Sequence, residues 1–154
     1  MKIETHIDKF HRLDAALGRL RPDADCELWI WTAMNACVNL LNAALHRARL
    51  TEETDSFHTQ VEGLYACPDR AHGTLTDAVH PPGDVMHAGQ PALGTPLPDA
   101  IANASVALAL IENLREPYVR GSEAPAAGAS AEWERAYRTC VDRLSETLNI
   151  SISR

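Results

Sequence analysis

A chain of 154 residues, 45% hydrophobic and 23% charged, has the ordinary make-up of one globular domain and is long enough to bury a real core. Its formal net charge of −7 repels phosphate backbones and anionic lipid, which excludes nucleic acid and membranes as first-choice partners. The opening MKIETHIDKFHRLD is charged throughout and offers no apolar run for a signal peptide, so a cytoplasmic location is expected.

The first helix is expected over residues 3–20. Ile3, Ile7, Phe10, Leu13, Leu17 and Leu20 recur at steps of three and four, which forms one apolar stripe. Arg21-Pro22-Asp23 breaks it, with Asp23 suited to cap a second helix over residues 24–49 and Asp25 and Glu27 favourable near its N-terminus. His46, Arg47 and Arg49 then complement the negative C-terminal end.

Within that second helix, the 18 residues from Leu28 to Leu45 carry no charge. That just reaches the length of a membrane span, but three asparagines in the middle count against one. A polar line runs through the same segment: Thr32, Asn35, Asn39, Asn42 and His46 share one helix face. Asparagine is a poor helix former, so the line needs a reason. Buried and unpaired, each Asn would cost on the order of 1–3 kcal/mol. The line is expected to anchor the segment that follows, with any ligand site at their junction.

That segment reads as a small β-hairpin, strands 64–67 and 74–79, inserted with a long Pro/Gly loop between the second and third helices. Residues 80–98 hold five Pro and three Gly and no periodicity. The same stretch concentrates metal-binding residue types, of which His80, Asp84 and His87 are the candidate ligands, to be joined by His46. Their spacing fits no established metal motif.

A third helix is expected over residues 98–115, ended by Pro117, and its many alanines suggest close burial against Trp29, Trp31 and Met34. Arg115 and Arg120 at its end suit either a C-terminal cap or an anion-binding corner. Ser130 is placed to cap a last helix, residues 131–148, with the stripe Trp133, Tyr137, Cys140, Val141, Leu144 and Leu148. Four cysteines show no CxxC pair, and Cys26 and Cys37 lie roughly 16 Å apart along one helix, too far to bridge.

The expected fold is therefore mainly α: a four-helix bundle-like single domain with the hairpin and loop inserted. No HExxH, GxSxG, phosphate loop or Glu-x-x-His pair is present. The functional expectation is a non-catalytic interaction or small-molecule-binding protein, forming a homodimer through its amphipathic helices. Asn35, Asn39, Asn42, His46, Arg115 and Arg120 are its candidate ligand-binding residues. A metal-assisted hydrolase is the alternative, an anion-binding regulator the second, and no cofactor is strongly implied.

Overall fold

The computed structural model describes residues 1–53, 63–69, 72, 74–80, 83–88, 96–121 and 123–151, with 63–69 and 74–80 described by their backbone only. Four α-helices stand among the described residues: α1 (Ile3–Leu17), α2 (Cys26–Arg47), α3 (Asp99–Asn113) and α4 (Ala129–Leu148). The central one is α2, which packs against the other three, while α1 and α4 lie against it with their apolar stripes inward. Phe10, Ile30, Leu40, Leu108, Ile111 and Leu144 form the fully buried centre.

The helix ends differ from expectation for local reasons. Helix α1 stops at Leu17, and Arg19 and Leu20 turn back by donating to Ala16 and Leu17 carbonyls. Asp25, rather than Asp23, stands at the N-cap of α2, and its carboxylate accepts from the Arg21 N–H at 2.9 Å. Arg49, expected in the last turn of α2, is instead the residue that stops it. Its φ is 58°, the Leu50 N–H reaches the Leu45 carbonyl at 3.0 Å, and the Arg49 N–H reaches that of His46 at 2.9 Å. This left-handed ending, with apolar Leu50 tucked against the core, turns the chain back so that Thr51 meets His46.

Pro117 does not end the third helical segment outright. It begins a π-helical turn, Glu116–Arg120, where its missing N–H costs nothing. Helix α4 starts two residues earlier than expected. Gly128, at φ 82°, leads into Ala129, so Ser130 lies inside the helix and does not cap it.

Side-chain placement brings two further corrections. Helix α3 is buried on one face only, through Ile101, Ala104, Ala107, Leu108 and Ile111, while Val106 and Leu110 point outward. Trp29 packs on aromatic rings of α4, neighbours that the alanine pattern of α3 does not point to, its ring centroid 6.3 Å from those of both Trp133 and Tyr137. An uninterrupted run of Ala and aliphatics hides which face is outward.

Between α2 and α3 the backbone of Gly63–Asp69 runs antiparallel to Thr74–His80. No side chain of either segment is described, so a packed β-hairpin is not supported as part of this helical fold. Of the Pro/Gly loop, 83–88 and 96–98 are described and 81–82 and 89–95 are not. Among the described helices, α2 alone is long and apolar enough to cross a membrane, and 72% of that apolar window is buried within the protein.

Candidate metal centre

The polar line of α2 divides into two halves. At its N-terminal half, Thr32 Oγ1, Asn35 Nδ2 and Asn39 Nδ2 donate to the carbonyls of Leu28, Trp31 and Asn35, each four residues back, at 2.7–2.8 Å. Asn35 is exposed, and with Asn39 it lines a groove of about 380 Å³ shared with Lys9, Arg12 and Leu13 of α1. At the C-terminal half the line turns inward. Asn42 is 2% exposed and His46 5%.

Both ends of the Asn42 amide are engaged by one residue of the inserted loop. Its Nδ2 donates to the Val85 carbonyl at 2.9 Å, and its Oδ1 accepts from the Val85 N–H at 2.6 Å. This pairing satisfies a buried backbone unit that no helix or strand serves, and the Val85 side chain is itself buried. Further along, Glu112 of α3 accepts from the Ala88 N–H at 2.9 Å. The segment from Asp84 to Ala88 is thereby stitched to α2 at one end and α3 at the other.

Asp84, next to that anchor, is where three elements meet. His46 Nε2 of α2 lies 2.9 Å from Asp84 Oδ1, and His6 Nε2 of α1 lies 3.2 Å from the same oxygen. The amino group of Met1 reaches both carboxylate oxygens at 2.8 Å. His6, His46 and Asp84 are all buried, and their donor atoms lie within 4.8 Å of one another. The two imidazole rings are tilted, with centroids 5.4 Å apart.

Each histidine is held from behind. His6 Nδ1 is 3.0 Å from Asn39 Oδ1, and His46 Nδ1 is 2.8 Å from the hydroxyl of buried Thr51. Burial alone would raise the Asp84 carboxyl. The hydrogen bonds from His46 and His6 and the Met1 ammonium outweigh it, holding the group well below the usual carboxylate range. Asp84 is thus an anion facing two imidazole nitrogens.

The sequence-derived candidates fall into separate places. Asn42, His46 and Asp84 come together where α2 meets the loop, and Asn39 joins them through His6. His87 turns away, 41% exposed and 3.5 Å from Glu112, so it does not share the ligand cluster with Asp84. Three residues on from Asp84, it sits on the far side of the Asn42 anchor. The side chain of His80 lies outside the described residues. Arg115 and Arg120 do not form one corner: the Arg115 guanidinium stacks 4.8 Å above the Trp31 ring, and Arg120 pairs with Glu116 at the surface at 2.6 Å.

Two members of the cluster, His6 and Thr51, were missed in the sequence. His6 had a visible signal, since Ile3, His6 and Phe10 follow the three- and four-residue steps that define the buried face of α1. Thr51 had none, because only the left-handed stop at Arg49 brings it back to His46.

No protein-family model, no curated protein and no solved structure matches this chain.

Proposed function

We propose that this protein binds one divalent transition-metal ion on His6 Nε2, His46 Nε2 and an Asp84 carboxylate oxygen. The observation that carries the reading is the convergence of three buried ligand atoms from α1, α2 and the loop. Two ligands held 2.0–2.1 Å from one ion at angles of 90–110° stand roughly 2.9–3.4 Å apart. The two nitrogen-to-oxygen spacings here, 2.9 and 3.2 Å, fall in that range. Mixed imidazole and carboxylate donors suit zinc, iron(II), cobalt or nickel better than calcium or magnesium. Three protein ligands leave a fourth position for water, as metal-assisted hydrolysis requires.

Elemental analysis of protein purified without added metal, followed by calorimetric titration with Zn²⁺ and Co²⁺, tests this. One equivalent bound by the wild type and none by His46→Gln or Asp84→Asn is expected. Absence of stoichiometric binding by the wild type would reduce the trio to a hydrogen-bonded anchor for the loop.

A second reading, self-association, has its own supporting observation. Trp133 and Tyr137 are buried within the fold, so the amphipathic faces of α1 and α4 are largely consumed inside it. Val106 and Leu110, 65% and 49% exposed, lie instead on α3, which has no charged side chain from Ala100 to Ile111. A second copy presents the same uncharged stripe, so the two can meet there without like-charge repulsion. Sedimentation at increasing concentration is expected to give twice the chain mass for the wild type and the single-chain mass for Val106→Glu. A wild type that stays at the single-chain mass rules this out.

A further inference from the structure

The two histidines of the cluster are held from behind by chemically different groups. Asn39 carries an amide whose orientation is fixed from elsewhere, because its Nδ2 donates to the Asn35 carbonyl at 2.8 Å. The atom it turns to His6 Nδ1, at 3.0 Å, is therefore Oδ1, which can only accept. A hydrogen bond across that contact requires the proton to be on His6 Nδ1.

From this we infer that Asn39 is a positioning residue: it keeps the His6 proton on Nδ1 and so dedicates His6 Nε2 to the cation. The inference rests on the metal reading above and deepens it by naming what sets the ligand atom. His6 Nε2 lies 3.2 Å from Asp84 Oδ1, and when it carries a proton it donates that proton to the oxygen. A metal ion that displaces this proton takes the Nε2 lone pair on one side and the carboxylate on the other. The outer group that binds the second ring nitrogen of a ligating histidine fixes its tautomer and orientation, and Asn39 Oδ1 occupies that place.

Thr51 behaves differently toward His46. A hydroxyl donates or accepts, so either tautomer of His46 is satisfied at Nδ1. Without metal, His46 donates Nε2–H to Asp84 while Thr51 donates to Nδ1. With metal on Nε2, the ring proton resides on Nδ1 and is donated to Thr51 Oγ1. His6 is thus the committed ligand and His46 the adaptable one, and the difference follows from an amide at position 39 and a hydroxyl at position 51.

The experiment is long-range ¹H–¹⁵N NMR of the histidine rings in the full chain, metal-free and after one equivalent of Zn²⁺, for the wild type, Asn39→Leu and Asn39→Asp. In the wild type, His6 Nδ1 is expected to carry a proton in both states, while the His46 proton moves from Nε2 to Nδ1 when zinc binds. Asn39→Leu removes the acceptor and is expected to weaken zinc binding by about 10–100-fold. Asn39→Asp keeps an acceptor at the same place and is expected to restore affinity and the Nδ1 proton, which separates a tautomer effect from general loss of fold. A bare Nδ1 on His6 in either state, or zinc on Nδ1, would overturn the inference, as would an Asn39→Leu affinity equal to wild type. A protonated Nδ1 in a protein that binds no metal would instead overturn the metal reading and leave Asn39's hold on the proton standing.

Discussion

Asn42 holds Val85 by both of its backbone groups, at 2.6 and 2.9 Å, and this one pairing sets Asp84 beside His46. The loop needs no secondary structure of its own near the site, because a helical side chain supplies the donor and acceptor that a strand partner would. Replacing Asn42 by Leu leaves a buried N–H and a buried carbonyl without partners, each worth about 1–3 kcal/mol. Chemical denaturation is expected to show Asn42→Leu destabilised by about 2–5 kcal/mol, with metal affinity falling as well. A loss under 0.5 kcal/mol, on the order of an ordinary surface change, would mean the loop is held elsewhere.

Acid should undo the Asp84 contacts in a definite pH window. Burial opposes ionisation of this carboxyl, yet the hydrogen bonds from His46, His6 and the Met1 ammonium prevail, so its folded pKa lies below the unfolded one. A group depressed in this way stabilises the fold at pH values above the unfolded pKa. That stability is lost as the pH falls below about 4, where the unfolded chain takes up the proton first. Wild-type unfolding free energy should therefore drop more steeply between pH 4 and pH 2 than that of Asp84→Asn. Parallel curves for the two proteins would show that Asp84 is no more stabilised as an anion in the fold than in the open chain.

Metal should also appear as stability. An ion that binds only the folded chain, present at about 100 times its Kd, adds about 2.7 kcal/mol. For a chain of this size that raises Tm by roughly 5–10 °C. Differential scanning fluorimetry with Zn²⁺ is expected to show that rise in the wild type, its reversal by a chelator, and no rise in His6→Gln or His46→Gln. His87→Ala should respond like the wild type, since His87 faces Glu112 and not Asp84.

How much of this could be read beforehand depends on whether a residue's neighbour is set by helical spacing or by tertiary packing. The stripes of α1 and α4 were legible because a step of three or four residues puts Phe10 above Ile7 and Leu144 above Cys140 in any helix. The same arithmetic exposed the polar line as a whole, but not that only its C-terminal part, Asn42 and His46, meets the loop. It could not say that His87 turns to α3, because six residues of loop, Gly83 to Ala88, have no period. It does set His6, four residues before Phe10, on the buried face of α1 and leaves His11 on the outside, but it does not name the partners that His6 meets there. The outward face of α3 escaped for the opposite reason: with apolar residues on every side, the pattern has no direction. Partner geometry around Asp84 is a property of three elements meeting, and no single element carries it.

The contact between Tyr137 and Asp14 makes a prediction at the other end of the pH scale. Tyr137 Oη donates to Asp14 Oδ1 at 2.8 Å and ties α4 to α1. Burial, together with the nearby Cys37 and the Asp14 carboxylate, pushes the phenol far above its usual value. An acid raised in this way keeps its proton in the folded chain after the unfolded chain has lost it. The corresponding stability is complete below about pH 10, the ordinary tyrosine value, and declines as the pH rises past it. Ultraviolet titration of the folded protein should accordingly show one tyrosine that ionises only as the fold is lost. Tyr137→Phe, which removes the hydroxyl but keeps the ring against Trp29, is expected to cost about 1 kcal/mol at pH 7. The gap between variant and wild type should narrow as the pH rises above 10. If Tyr137 instead ionised near pH 10 with the helices intact, Asp14 would have to be facing solvent rather than accepting its proton.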